Sequence, residues 1–177
     1  AFHRSVEVEP YPRDKITLPV VVHVVYREER ENISDLQIRS QIDALNRGFN
    51  GLIPLSTDLT DSIRNVIQAA DIHFQLACRD PEGGQTNGIN RRHTTIENIG
   101  YALDQGKYAV HHSLLGGVDP WPQDEYINIW VCAMPTNYLG RATMPIPLAD
   151  PNEDGLVINY QHFGYIGTAA QEQPYDL

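Results

Sequence analysis

The sequence is poor in positive charge and has no long apolar segment. Thirteen Lys and Arg residues stand against 23 Asp and Glu residues, which gives a formal net charge of −10 at pH 7. A surface of that sign repels phosphate groups, so we expect neither nucleic acid nor a membrane surface as a partner. The longest apolar run, residues 18–25, is interrupted by His23 and is far too short to span a bilayer.

Cysteine is also scarce, since Cys78 and Cys132 are the only two in the sequence. Two cysteines allow at most one disulfide and exclude a four-cysteine zinc site. Each follows an apolar strand pattern, so buried unreactive thiols and a single disulfide are both favoured over a catalytic thiol. The chain begins at Ala1 with no basic-then-apolar leader, so no targeting segment is visible in it, whether or not one was removed.

Motifs of the common catalytic machineries are absent from these 177 residues. There is no GxSxG elbow, Walker loop or GxGxxG, and no two of the seven histidines stand four residues apart as in HExxH. His111 and His112 are adjacent, so on a helix their side chains point about 100° apart and cannot hold one ion together. His23 and His73 interrupt strand patterns, which favours hydrogen-bonded core histidines over metal ligands. We therefore predict no catalytic residue and no metal ligand within the chain.

The pattern that is present is that of an α/β protein. Hydrophobic residues make up 41% of the chain, enough for one folded domain. The β-branched run over residues 20–26 is typical of a central strand that is covered on both faces. Further strands are predicted over residues 72–78, 126–132 and 155–160, and a hairpin partner or short strand over residues 89–94. The most economical arrangement is one open, twisted, mostly parallel sheet backed by helices.

Helix signals follow the first strand. Ser34 with Gln37 three residues later is typical of a capping box, and an apolar stripe follows at helical spacing over residues 38–49. A helix of roughly 14 residues is expected there. A shorter helix is predicted over residues 63–70, and residues 108–115 are a candidate helix. Residues 1–17 are interpreted as an extended arm.

Two segments near the C-terminal end have patterns of their own. Residues 139–144 are short and followed by Pro145, which is typical of an edge strand because proline cannot donate into a ladder. Residues 150–155 match the opening of an EF-hand loop, but position 12 would be Gln161 rather than a bidentate glutamate. A solvated turn is favoured there, with a calcium site of another kind as the alternative.

Several separated segments, taken together, resemble the pappalysin family of metzincin zinc peptidases, including its ulilysin-type members. The resemblance covers Leu18 to Thr168. Its segments are LPVVVHVVY at 18–26, NISDLQIRSQIDALNRGFN at 32–50, the DPEG turn with its following Gly88-Ile89, GGVDPW at 116–121, YINIWVC at 126–132, LGRA at 139–142 and DGLVI at 154–158.

The resemblance implies a zincin-like N-terminal subdomain over residues 18–177, with a twisted five-stranded mixed sheet backed by helices. In such peptidases the antiparallel edge strand forms the upper rim of the active-site cleft and binds extended substrate. That strand corresponds to Leu139, Gly140, Arg141, Ala142 and Thr143. The physical argument agrees, because an edge strand offers unpaired main-chain groups to a peptide.

The sequence departs from this family by ending before the zinc motif. The resemblance implies a secreted or extracellular, or else periplasmic, zinc metalloendopeptidase that acts on protein or peptide substrates. Its zinc ligands and catalytic glutamate would lie in a C-terminal catalytic subdomain, so we expect this chain alone to be inactive. One alternative is a non-catalytic extracellular module that binds peptides or proteins on the same edge strand. Another is a calcium- or sugar-binding domain that uses residues 150–155 or the two tryptophans.

Overall fold

A mixed β-sheet forms the centre of the molecule. The computed structural model describes residues 15–52, 70–144 and 150–171. Its strands are β1 (Ile16–Tyr26), β2 (Ile72–Leu76), β3 (Ile89–His93), β4 (Leu103–Asp104), β5 (Lys107–Tyr108), β6 (Ile127–Cys132), β7 (Gly140–Ala142) and β8 (Leu156–Asn159). The sheet order is β2-β1-β6-β8-β7, with β3 also paired with β1, and β4 and β5 form a separate hairpin. All pairs in the main sheet are parallel except that of β7 with β8.

The main sheet has six strands in five positions, because β2 and β3 share one side of β1. β6 and β3 both pair with residues 22–25 of β1, so they must lie on its opposite sides. The Val20 carbonyl accepts from the Ala77 N–H (2.8 Å), and the Val22 N–H donates to the Gly88 carbonyl (2.9 Å). Alternate residues of a strand face the same side, so β2 lies on the β3 side. The expected mixed sheet backed by a helix is confirmed.

One of two expectations about secondary structure is confirmed in part and the other is wrong. Residues 89–94 do contain a short strand, but β3 runs parallel to β1 and is not a hairpin partner of the strand before it. Residues 108–115 do not form a helix. They form two separate 3-10 turns, Ala109–His111 and Ser113–Leu115, because His112 between them is extended (φ −127°, ψ 118°).

Two further predictions concern segments that lie partly outside the described residues. β1 begins at Ile16, so it takes in the end of the arm predicted for residues 1–17. Residues 1–14 of that arm, and residues 63–69 of the helix predicted at 63–70, lie outside the described residues. Within the parts of the chain that the structure describes, no helix is long and apolar enough to cross a membrane.

Helix α1 (Asp35–Phe49) confirms the predicted first helix and its cap. The Ser34 side chain accepts from the Gln37 N–H (3.2 Å), as the capping motif predicts. The reciprocal half of the capping box does not form. The Gln37 amide is buried instead, and it donates to the carbonyls of Tyr160 (3.2 Å) and Phe163 (3.0 Å). This side chain therefore joins α1 to the segment that follows β8.

The two faces of the sheet pack against different layers. One face carries a core shared with α1, which includes Val20, Val22, Ile38 and Phe163. The other face packs against the irregular segment 96–118 around Trp130, which is fully buried. The second layer supports the end of the sheet that carries β7.

Candidate functional site

The candidate site is the free side of β7, the last strand in the sheet order. β7 runs antiparallel to β8 and is held by residues at both of its ends. The Leu139 carbonyl accepts from the Asn159 N–H (2.9 Å), and the Thr143 N–H donates to the Gly155 carbonyl (3.4 Å). The strand is short, yet its register against β8 is fixed at both ends.

Gly140 and Ala142 carry the outward-facing main-chain groups of β7. In an antiparallel ladder every second residue bonds to the partner strand, and the residues between them turn their N–H and C=O groups away. Leu139 and Thr143 are bonded to the β8 side, which places Gly140 and Ala142 in the outward set. Both are exposed, and we find no hydrogen bond to these four groups from any residue that the structure describes. Two donors and two acceptors are thus without a partner among the described residues and face the side where a strand could be added.

The Arg141 side chain turns inward, away from this free side. Its Nε donates to the Gly100 carbonyl (3.2 Å), and its Nη2 donates to Nε2 of His111 (2.7 Å). The guanidinium carbon lies 3.5 Å from the centroid of the Tyr108 ring. Burial lowers the pKa of Arg141 below its usual value. The side chain of Arg141, one of the five predicted site residues, therefore anchors the strand to the layer beneath it.

His111 supports that anchor from a fully buried position, with its ring 4.3 Å from the Trp130 ring. Because Arg141 can only donate, Nε2 of His111 must be the acceptor and its proton must sit on Nδ1. Among the described residues Nδ1 has no hydrogen-bond partner. Burial, and then the nearby charge of Arg141, lower the pKa of His111 to about 3. The ring stays neutral near pH 7 and keeps its acceptor available.

His23 is a second buried histidine, and its ring also lies beside that of Trp130, with the centroids 5.1 Å apart. Its Nε2 lies 3.0 Å from Oδ1 of Asn128, and its Nδ1 lies 3.2 Å from Nδ2 of Asn90. Asn128 Oδ1 also accepts from the Trp121 N–H (2.8 Å), so His23 donates from Nε2 and accepts at Nδ1. Burial lowers its pKa to about 4. His23 is the hydrogen-bonded core histidine that the sequence predicts, whereas His73 is only half-buried in β2.

The predicted calcium segment forms a turn with its own internal bonds. Asp150 accepts from the Asn152 N–H (2.9 Å) at the start of a 3-10 turn, and Glu153 accepts from the Tyr108 N–H (2.9 Å). Among the described residues, no group of three or more His, Cys, Asp or Glu side chains is arranged to hold a metal ion. Calcium binding at 150–155 stays a prediction.

Both cysteines are free thiols, so the disulfide alternative does not occur in this structure. Cys132 is buried, and burial raises its pKa to about 12. Cys78 is exposed just beyond β2, contrary to the expectation that it would be buried.

The opposite side of the sheet is closed by asparagine side chains. Asn46 of α1 donates from Nδ2 to the Phe74 carbonyl (2.8 Å) and accepts at Oδ1 from the Phe74 N–H (2.8 Å). Asn50, the residue that caps the C-terminal end of α1, donates to the Ile72 carbonyl (3.0 Å). Sequence analysis missed this pair, although two asparagines one helical turn apart beside an apolar stripe are a usable signal.

Solved structures of mirolysin from Tannerella forsythia are similar to this chain. Mature mirolysin in complex with a cleaved peptide is 43% identical with a TM-score of 0.82, over 93% of this chain and 59% of that one. A promirolysin mutant from the same organism is 43% identical with a TM-score of 0.82, over 93% of this chain and 52% of that one. Mirolysin in complex with a compound gives 43% identity, a TM-score of 0.81 and coverages of 93% and 59%.

No protein-family model matches the chain, and no curated protein matches it. The chain spans 59% of the length of the mature mirolysin chain that it matches. The mixed sheet and helix described above match the fold of that peptidase. Mirolysin is a metallopeptidase of the ulilysin and pappalysin type, and the similarity supports a metzincin-like family for this chain.

Proposed function

We propose that this chain is the N-terminal part of a zinc metalloendopeptidase and that β7 binds extended peptide substrates by adding them to the sheet. The observation that carries the proposal is the outer edge of β7, where Gly140 and Ala142 present main-chain groups to which no described residue bonds. The similarity to mirolysin, whose mature form was solved in complex with a cleaved peptide, supports the same function.

The chain's own contribution would be to position the substrate. A peptide paired with β7 is held in an extended conformation by main-chain bonds, which demand little of its sequence. Arg141, fixed by Gly100 and His111, keeps β7 rigid, so little ordering of the strand is needed when a peptide binds.

The described residues do not fit a zinc ion, since they contain no suitable cluster of ligands. Zinc would be held by residues beyond this sequence, where it lowers the pKa of a bound water. We derive no catalytic step within this chain and propose that it is inactive alone. From the resemblance we also propose a location outside the cytoplasm, which fractionation of the source cells would test.

The edge can be tested by removing one outward donor. Ala142→Pro deletes the Ala142 N–H without breaking a bond to β8, and Ala142→Ser is the matched control that keeps the N–H. Binding of a fluorescein-labelled Val-Thr repeat decapeptide to the full chain is measured by fluorescence anisotropy. We expect about tenfold weaker binding for Ala142→Pro, since it removes one hydrogen bond and places a ring against the peptide, and no change for Ala142→Ser. Equal affinities for all three proteins would contradict the proposal.

The alternative is a non-catalytic module that binds peptides on the same edge. The two functions differ in the part of the source gene that lies beyond the codon for residue 177. A reading frame that continues into HExxHxxGxxH supports the peptidase, whereas a stop codon directly after Leu177 favours the binding module.

A further inference from the structure

We infer that the β7 edge prefers peptides with a large apolar or aromatic side chain, because an exposed apolar surface lies beside its free main-chain groups. This surface consists of Tyr101, Tyr138 and Leu139, and we call it the tyrosine shelf. The inference rests on the proposed function and specifies the substrate class of that site.

The shelf is exposed although its members are apolar over most of their surface. Tyr101 is 38% exposed, Tyr138 is 40% exposed and Leu139 is 57% exposed. The two tyrosine rings stack with their centroids 4.6 Å apart and their planes tilted by 31°. Stacking fixes the rings against each other while leaving area on both in contact with water. Such an area stabilises a complex when a ligand covers it.

The shelf lies on one defined face of β7. Residues two apart in a strand point to the same face, so Leu139 shares its face with Arg141. The Arg141 guanidinium lies over the Tyr108 ring, and Tyr108 contacts Tyr101 edge-on with centroids 6.0 Å apart. The layer that anchors Arg141 therefore also carries Tyr101, and Tyr138 completes the stack just before β7 begins.

An added strand would bring its own side chains onto this face. It would lie about 4.8 Å beyond β7, the ordinary spacing of neighbouring strands. Every second side chain of the peptide would point toward the face that carries Leu139. Directly opposed and diagonal side chains on adjacent strands are within contact distance. A large peptide side chain near the Leu139 end of β7 would meet Tyr101 and Tyr138.

The chemistry of the shelf favours apolar and aromatic groups. Two stacked rings and a leucine offer dispersion contacts and an aromatic partner, and an aromatic pair gains energy beyond the area that it buries. The support beneath the rings is preorganised, since Arg141 has two hydrogen bonds and a ring contact there. Little ordering of the shelf is required on binding, so the contact energy appears as affinity.

The test compares two labelled Val-Thr repeat decapeptides that differ only at one central residue, Phe or Ala. Fluorescence anisotropy with the full chain gives the ratio of their affinities. We expect the Phe peptide to bind about tenfold tighter, from one aromatic contact and its buried area. In the double variant Tyr101→Ser, Tyr138→Ser the ratio should fall to about twofold, the share left to Leu139.

Tyr165→Ser is the control. Tyr165 is a similarly exposed tyrosine at 43%, and its hydroxyl donates to Asp43 of α1 (3.1 Å), in the layer on the other face of the sheet. This variant should keep the wild-type ratio. Each variant is checked for folding by its urea unfolding curve. If the double variant does not fold, the single variants Tyr101→Ser and Tyr138→Ser take its place, and a ratio that stays at the wild-type value in both overturns the inference.

The outcomes separate this inference from the proposed function. Equal binding of the Phe and Ala peptides by the wild-type chain, with both weakened by Ala142→Pro, overturns the shelf and leaves the binding edge intact. A tenfold ratio that persists in the double variant also overturns it. No binding of either peptide to the wild-type chain removes the proposed function itself.

Discussion

The two edges of the sheet differ in whether the outward main-chain groups of the edge strand are hydrogen-bonded. On the β2 side, Asn46 of α1 and Asn50 at its C-terminal cap bond to the outward groups of Phe74 and Ile72. On the β7 side, no described residue bonds to the corresponding groups of Gly140 or Ala142. An open edge is a risk for aggregation, and proteins usually cover or shorten it. One edge is closed by side chains of a helix while no described residue bonds to the other, and this contrast supports the proposal that β7 binds a peptide.

The same contrast extends to the two buried histidines. His23 lies toward the closed side and is bonded at both ring nitrogens, to Asn128 and to Asn90 of β3. His111 lies toward the open side and is bonded only to Arg141 among the described residues. Each side of the sheet therefore depends on a neutral imidazole, and within the described parts of the chain both ring nitrogens are bonded only on the closed side.

Acid should lower the stability of the protein more than the loss of any one side chain at either edge. The folded-state pKa values of His23 (about 4) and His111 (about 3) lie below the ordinary value of 6.5. Their contribution is complete above pH 6.5 and is lost as the pH falls toward the folded-state values, because the unfolded chain binds protons more readily. At pH 5 each histidine should cost about 2 kcal/mol, so we expect the free energy of unfolding to fall by about 4 kcal/mol. Urea unfolding at pH 7 and pH 5 measures this loss.

Two variants divide the loss between the sides of the sheet. His111→Gln keeps an acceptor for Arg141 without a titrating ring, and His23→Gln does the same beside Asn128. Each variant should show about half of the wild-type loss between pH 7 and pH 5. If the His111→Gln protein lost as much free energy of unfolding between pH 7 and pH 5 as the wild type, His111 would not contribute to the pH dependence.

The bonds that close the β2 side should have the next largest effect. Asn46→Ala should lower the free energy of unfolding by about 3 kcal/mol, because both Phe74 main-chain groups lose their partner while partly buried. Asn50→Ala is the comparison, with one bond to Ile72 and an expected loss of about 1 kcal/mol. Urea denaturation of the two variants at pH 7 gives both numbers. Equal losses in the two variants would mean that the two bonds to Phe74 stabilise the β2 edge no more than the single bond to Ile72 does.

Local patterns in the sequence predicted the parts of this fold that local forces decide. The apolar run of β1 and the Ser34 cap are examples, because a strand buried on both faces and a helix start are written in neighbouring residues. Gln37 shows the limit of this approach. The capping rule predicts its position, but carbonyls more than 120 residues away capture its side chain. The parallel pairing of β3 was missed for the same reason.

The candidate site also has features that the local sequence predicts and features that distant residues decide. Shortness and the following proline predicted β7 as an edge strand, and its place at the end of the sheet order agrees. The inward direction of Arg141 depends on Gly100 and His111, which lie 41 and 30 residues away, and no local pattern encodes it. The asparagine closure of the opposite edge also requires knowing that β2 lies against α1.

The smallest predicted effect tests why β7 holds its position. A Cβ at Gly140 would lie 2.7 Å from the Val157 carbonyl oxygen, a main-chain atom that cannot turn aside. Gly140→Ala should therefore push β7 away from β8 and lower the free energy of unfolding by about 1 kcal/mol. The larger effect should be local, and hydrogen exchange of the Arg141 and Thr143 amides, which face β8, should speed up severalfold. Ala142→Ser is the control, with no change expected in either measurement. Unchanged exchange in Gly140→Ala would mean that the strand keeps its register without the glycine, and the open edge would then owe its geometry to the Arg141 anchor alone.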